Sequence, residues 1–302
     1  YWDFNDPSDP TSAADVSGNA PAATLSGPAK YSDDGGGFSG EIGDYSLDLG
    51  GVNDSSAAQT PEGPHLDEAS DSNEMSVAFW QNTTQVGNTS AFWINAPAAT
   101  GSQRGFQAHT PWGNGTIFFD QSGCCAAPQR LTVGGQVIPN QWQHFVFQRD
   151  EDGNMEIWVD GELRAEQGGA EPLDPFNGII TIGADLNTGN SIAARIDEFA
   201  IYNRPLDAAE ILSLYEGNLA IDLITPPGLF TITDVERDED GQVTLTFNAR
   251  PNVIYAVDVS EDCELWQEID DNVVGSKGKA TFIDISGFGE QKSLFYRVRI
   301  ID

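Results

Sequence analysis

The chain carries 47 Asp and Glu residues, so the first chemistry to test is the work of paired carboxylates. Glycoside hydrolysis needs two carboxyl groups held at a set separation. Glu156, Asp160 and Glu162 follow one another along Met155-Glu156-Ile157-Trp158-Val159-Asp160-Gly161-Glu162, and Glu156 and Asp160 share strand parity. Asp160-Gly161, however, reads as a tight hairpin turn, which takes Glu162 off that strand. The three histidines, His65, His109 and His144, come with no His-Glu-x-x-His or Gly-x-Ser-x-Gly pattern. Zinc and nucleophilic chemistry lack support, and the expectation is a protein that is not an enzyme.

Binding chemistry has better candidates. An aromatic face flanked by hydrogen-bonding groups suits a sugar ring, and Trp112 stands between His109 and Asn114 in a Gly-rich hairpin. In that reading Trp112 is the platform, His109 and Asn114 supply hydrogen bonds, and Asn114, Asp120 and Arg130 orient hydroxyls. The competing reading has Trp112 covering a sheet edge and His109 capping a turn. Cys124 and Cys125 follow in Gly123-Cys124-Cys125-Ala126. In an oxidising compartment they close a vicinal disulfide that stiffens the loop; the alternative is a reduced pair in a buried turn. Cys263 is the third cysteine, so a disulfide framework is excluded.

The net charge is -33, with only 14 basic side chains. Nucleic acid and anionic membranes are poor partners and are not expected, because phosphate binding needs clustered Lys and Arg. Such an excess is tolerated where salt or cations screen it, and some of the carboxylates are candidates for Ca²⁺, a hard cation that takes oxygen ligands. No EF-hand loop is present. No apolar run approaches the ~20 residues of a membrane span, so membrane insertion is not expected. The chain opens directly on strand-like Tyr1-Trp2-Asp3-Phe4, and the expectation is a processed protein that is secreted or displayed at the cell surface.

These residues must be positioned by β-structure. Tyr45–Leu49, Met75–Trp80, Ser90–Ile94, Gly105–His109, Thr116–Phe119, His144–Gln148, Met155–Val159 and Gly178–Ile182 are short and rich in β-branched and aromatic residues. Residues 51–74 are polar and read as a long surface loop. Arg195–Tyr202 reads as a last strand, followed by a short helix that Asp207 caps and Glu210 closes as a capping box. The expected class is all-β, a jelly-roll β-sandwich over residues 1–220, then a linker at 221–228 stiffened by Pro226-Pro227, then a smaller C-terminal β-sandwich over 229–302. In the latter, Val243–Phe247, Ile254–Val259, Ala280–Asp284 and Phe295–Ile300 alternate with period two.

Two stretches carry a family resemblance. Gln141-Trp142-Gln143-His144-Phe145 leading to Trp158-Val159-Asp160-Gly161, and Ile196-Asp197-Glu198-Phe199 leading to Asn203-Arg204-Pro205-Leu206 and Glu210-Ile211, resemble the laminin-G-like, concanavalin-A-like jelly-roll domains. The segment from Phe106 to Arg130 resembles a secreted bacterial subgroup with a Cys-Cys loop, and Tyr255–Ser260 with Phe295–Val298 is similar to small fibronectin-type-III-like sandwiches. The resemblance implies a secreted recognition domain. It also implies that Asp197 holds a structural Ca²⁺ with Asp3 and Asp6 from the chain start, since first and last strands pair in this fold; the alternative for Asp197 is a surface ion pair with Arg195. The leading expectation is a non-catalytic recognition or adhesion protein that binds glycan or another cell-surface ligand. The alternative is a subunit that self-associates into a filament or surface layer, and a third reading is the accessory region of a secreted carbohydrate-active enzyme.

Overall fold

In the computed structural model the chain divides into two compact units, Tyr1–Tyr215 and Glu216–Asp302. The structure describes residues 1–97, 105–122, 125–220, 223, 232–238, 242–249, 254–263, 265–274, 279–284 and 294–300. The expected linker, 221–228, lies outside the described residues apart from Leu223. No helix among them is long and apolar enough to cross a membrane.

The first unit contains β1 (Ser12–Ala13), β2 (Ala23–Ser26), β3 (Lys30–Ser32), β4 (Ser46–Asp48), β5 (Ala57–Gln59), α1 (Asp67–Ser72), β6 (Met75–Thr83), β7 (Phe92–Ile94), β8 (Phe106–Trp112), β9 (Thr116–Gln121), β10 (Arg130–Val133), β11 (Gln143–Arg149), β12 (Met155–Val159), β13 (Glu162–Gln167), β14 (Ile180–Ile182), β15 (Ala194–Tyr202) and α2 (Ala208–Tyr215). An eight-stranded sheet runs β1-β2-β5-β14-β7-β8-β9-β10 and a seven-stranded sheet runs β13-β12-β11-β6-β15-β4-β3. This is the expected all-β sandwich.

The two sheets meet over an apolar core. On β11, Phe145 and Phe147 point inward, as strand alternation requires, and the Phe79 ring of β6 stacks on both at 5.7 and 6.1 Å. Phe92 from the opposite sheet meets Phe79 edge-on at 6.0 Å, and Phe79, Phe92, Phe145 and Phe147 are all fully buried. Asp160 and Gly161 both take positive φ, 53° and 76°, the pair of left-handed residues that a two-residue hairpin demands. The Asp207 backbone N–H donates to Glu210 Oε2 at 3.0 Å and the Glu210 N–H to Asp207 Oδ1 at 2.9 Å. That reciprocal cap holds α2 where Ile211 and Leu214 are buried.

The polar stretch 51–74 is not one loop. It contains β5 and α1, because Ala57 and Ala58 are buried at the sheet and Ala69 anchors the short helix. The opening segment forms a single bridge between Trp2 and Phe199 rather than a strand, so chain start and last strand do meet.

The second unit contains β16 (Ile232–Arg237), β17 (Val243–Asn248), β18 (Ile254–Ser260), β19 (Gln267–Val274), β20 (Lys279–Asp284) and β21 (Phe295–Ile300). Two three-stranded sheets, β16-β17-β20 and β19-β18-β21, close on Leu245, Phe247, Tyr255 and Val257.

Candidate functional site

The face of the eight-stranded sheet turned away from the core carries the polar candidates. On β8, Phe106 and Ala108 enter the core while Gln107 and His109 point outward. Strict alternation would send Trp112 to the opposite face from His109. A bulge between the pairs His109↔Phe118 and Trp112↔Thr116 inserts one extra residue, and Trp112 lies edge-on to His109 with ring centroids 4.6 Å apart. Register places Asp120 opposite both Gln107 and Arg130. Arg130 grips the fully buried Asp120 with two bonds, Nε to Oδ1 at 2.5 Å and Nη2 to Oδ2 at 2.6 Å, while its guanidinium lies 4.4 Å above the centre of the Phe118 ring. His109, Trp112, Asp120 and Arg130 are thus brought together. Asn114 is not: it is exposed at the hairpin tip, where its side-chain oxygen meets Thr116 Oγ1 at 3.4 Å.

Residues with no motif complete this face. Trp93 and Gln107 are cross-strand partners, as are Trp93 and Thr181, and Thr181 and Gln59. Gln107 donates to Asp120 Oδ2 at 3.0 Å, and Gln59 donates to Thr181 Oγ1 at 2.7 Å. Of the Cys-Cys pair, Cys124 lies outside the described residues; Cys125 is exposed and disulfide-bonded, whereas Cys263 is a free, exposed thiol.

Ser90, His109 and Asp120 stand in the order of a nucleophilic triad, and the hydrogen bonds show why they do not act as one. His109 Nδ1 lies 3.1 Å from both Ser90 Oγ and the Thr89 carbonyl oxygen. A carbonyl only accepts, so Nδ1 carries the proton, and Nε2 accepts from the Gln107 amide at 3.3 Å. The nitrogen facing Ser90 is therefore a donor, not the bare base that proton abstraction requires, and Ser90 itself is fully buried. The three carboxylates near β12 are also separately engaged. Glu156 Oε2 accepts from Gln148 and Trp158, each at 2.7 Å, Asp160 accepts from the His144 backbone at 2.9 Å, and Glu162 pairs with Arg164 at 2.8 Å.

At the other sheet, Asp197 is fully buried, with its carboxylate accepting from the backbone of Phe38 at 3.0 Å and of Glu198 at 2.9 Å. It does not pair with Arg195, which turns to Asp34 at 3.5 Å and lies over Trp142. Burial, helped by the nearby Glu198 and Asp44 charges, pushes its carboxyl up to about 9. Gly37, at φ +56°, leaves room for Asp44 and Asp197 to face each other: a Cβ there would overlap the Asp44 carboxylate and come within 2.7 Å of Asp197 Oδ2. Asp3 is raised by burial and by Asp44. Asp6 is fully exposed and its carboxylate bonds to Ser8. Among the described residues no three His, Cys, Asp or Glu side chains are spaced to hold a metal. The buried Asp197 and the half-buried Asp44 fit a hard divalent ion only if backbone carbonyls complete about six oxygens, with Asp3 beside them. Asp44, in the Gly-rich run 35–43, was not signalled by any motif.

Known structures share the architecture. Domain 4 of AbnA, a GH43 extracellular arabinanase from Geobacillus stearothermophilus solved in complex with arabinotriose, is similar with a TM-score of 0.52 at 18% identity, covering 71% of this chain and 96% of that one. The binding domain of botulinum neurotoxin DC, solved with rat synaptotagmin II, is similar with a TM-score of 0.51 at 16% identity, covering 91% of this chain and 69% of that one. At these identities the likeness concerns the fold. No curated protein sequence matches. The profile of the concanavalin A-like lectin/glucanases superfamily matches residues 52–212, more than half of the 302 residues, and the chain belongs to that superfamily.

Proposed function

We propose that the first unit is a non-catalytic glycan-recognition module of a secreted or cell-surface protein, and that its site is the outward face around His109, Trp112, Phe118, Asp120 and Arg130. The observation that carries this reading is the juxtaposition of the half-buried Trp112 ring, edge-on to His109, with the buried hydrogen-bonded array of Gln107, Asp120 and Arg130. Stacking faces over fixed polar groups are what a sugar ring requires. A fold shared with an arabinanase domain bound to arabinotriose and with a toxin's receptor-binding domain is consistent with it. The disulfide at Cys125 is the chemistry of an oxidising compartment. Single-site affinity is weak in this reading, and repeated copies supply avidity. A glycan array probed with wild type and with Trp112→Ala tests it: signals lost in the variant support the placement, and identical signals refute it.

Calcium enters as a structural ion. In this reading Asp44 and Asp197 hold Ca²⁺ together with backbone carbonyls, Asp3 adds negative charge nearby, and the ion offsets carboxylate repulsion. Calorimetry showing heat of Ca²⁺ binding in wild type and none in Asp197→Asn is the expected result; no heat in wild type removes the ion from the account.

A further inference from the structure

The guanidinium of Arg149 is a buried cation to which the described residues give no counter-charge. Arg149 ends β11 on the same face as Phe145 and Phe147, which line the core, and it is 1% exposed. Its cross-strand partners are Met75 and Met155, both fully buried. Among the described residues its hydrogen bonding is confined to Nη1, which donates to Asn73 Oδ1 at 3.4 Å, beyond the usual N–H···O range. Nε is buried and meets no acceptor there. The nearby acceptors are engaged elsewhere. Asp150, next in sequence, accepts from Asn154 N at 2.9 Å and from Asn154 Nδ2 at 2.7 Å. Asn73 Oδ1 takes the Leu173 N–H at 2.8 Å. The Gly153 carbonyl takes the Ala170 N–H at 3.1 Å, although a Cβ on Gly153 would lie only 3.2 Å from Arg149 Nη2.

A buried histidine or lysine escapes such a position by shedding its proton; a guanidinium stays protonated. An unpaired charge in apolar surroundings is costly, and a water molecule satisfies N–H groups without neutralising the charge. We infer that Arg149 anchors a buried site for a small monovalent anion, chloride in salty water, held side-on by the Nε–H and Nη2–H edge. That edge is the fork with which arginine grips carboxylates. The surroundings, with Met75, Met155, Leu173 and Ala170 all buried, suit an ion that loses its hydration readily, so chloride and bromide are taken and a bulky organic anion is not. The net charge of -33 opposes any anion at long range, but at 0.1 M salt that field is screened beyond about 10 Å, and the buried guanidinium sets the local potential. The bound ion would hold the turn between β11 and β12 and the segment around Leu173 against the C-terminal end of α1, where Asn73 sits.

The test uses the full chain and its Arg149→Met variant in differential scanning fluorimetry, at fixed sodium concentration and ionic strength, with gluconate replaced stepwise by chloride or bromide. In wild type the melting temperature of the first unit should rise saturably, by about 3–6 °C at about ten times Kd. Arg149→Met replaces the charge by an apolar chain of similar volume and should fold; its melting temperature should lack the saturable part. General salt effects act on both proteins alike, so the difference between them isolates the site. Crystals of wild type grown in sodium bromide give a readout that needs no variant, an anomalous bromine peak against Arg149 Nε. A bromine map with no peak at Arg149, or a water in that place, overturns the inference. So does a folded Arg149→Met that gains as much from chloride as wild type. None of these outcomes touches the glycan reading, whose residues lie on the other sheet.

Discussion

Acidification should destabilise the first unit through one histidine, by an amount that follows from burial. His144 is 2% exposed, its ring packs 5.2 Å from Trp80, and its Nδ1 has no hydrogen-bond partner. With nothing to stabilise a charge, burial lowers its pKa from 6.5 to about 3. The folded value lies below the unfolded one, so between those limits the unfolded chain binds the extra proton, and stability falls as pH falls. At 1.36 kcal/mol per unit of pKa difference, the loss on going from pH 7 to pH 4.5 is about 2.5–3 kcal/mol. That figure barely changes if the folded pKa is nearer 4, because pH 4.5 remains above it. The assay is urea unfolding of wild type and His144→Gln at both pH values, followed by a signal of the first unit. The many carboxylates titrate alike in both proteins, so the difference between them isolates the histidine. The stability of wild type relative to the variant should drop by about 2.5–3 kcal/mol at pH 4.5. A difference independent of pH would mean that the ring accepts a proton in the folded state and would refute the argument from burial.

Three further perturbations bear on the two candidate sites and on α2. Arg130→Ala leaves the fully buried Asp120 carboxylate without its guanidinium and should cost about 3 kcal/mol; adding Asp120→Asn should recover much of it in the same urea melts. Gly37→Ala places a methyl group against the Asp44 and Asp197 carboxylates at a left-handed φ. It should lower stability by about 1–3 kcal/mol and abolish any thermal shift that Ca²⁺ gives wild type in differential scanning fluorimetry. Asp207→Ala removes one arm of the reciprocal cap on α2, for about 1 kcal/mol of lost stability, measurable by thermal unfolding with no change in glycan or Ca²⁺ binding.

Local signals were legible and non-local ones were not. Alternating aromatic runs such as Met155–Val159, the Asp160-Gly161 hairpin and the Asp207/Glu210 box all act within a few residues, and each appears in the structure as expected. Strands such as β5 and β13 escaped notice for opposite reasons. Ala57 and Ala58 are too small to announce a buried face, and Glu162–Gln167 is an edge strand whose outward residues are charged. Of the site, the segment from His109 to Arg130 was visible because one hairpin and its neighbour carry it. Trp112 lies beside His109 only because of a bulge that alternation does not foresee.

The cross-strand polar partners on the outer face of the eight-stranded sheet lie beyond any local reading. Gln59, Thr181 and Gln107 are ordinary polar residues, separated by stretches longer than any motif, and only the register of six strands sets them side by side. A one-residue slip in β14 would turn Thr181 into the core and bring Ile180 or Ile182 to the outer face, so the apolar neighbours that fix the register also fix the polar row. Core packing and the alignment of these polar side chains are therefore one constraint. The same reasoning applies to Asp44, which reaches Asp197 only because a run of left-handed glycines folds the 35–43 loop back onto the last strand. In both places the candidate side chains are brought together by backbone geometry and are unremarkable until that geometry is known.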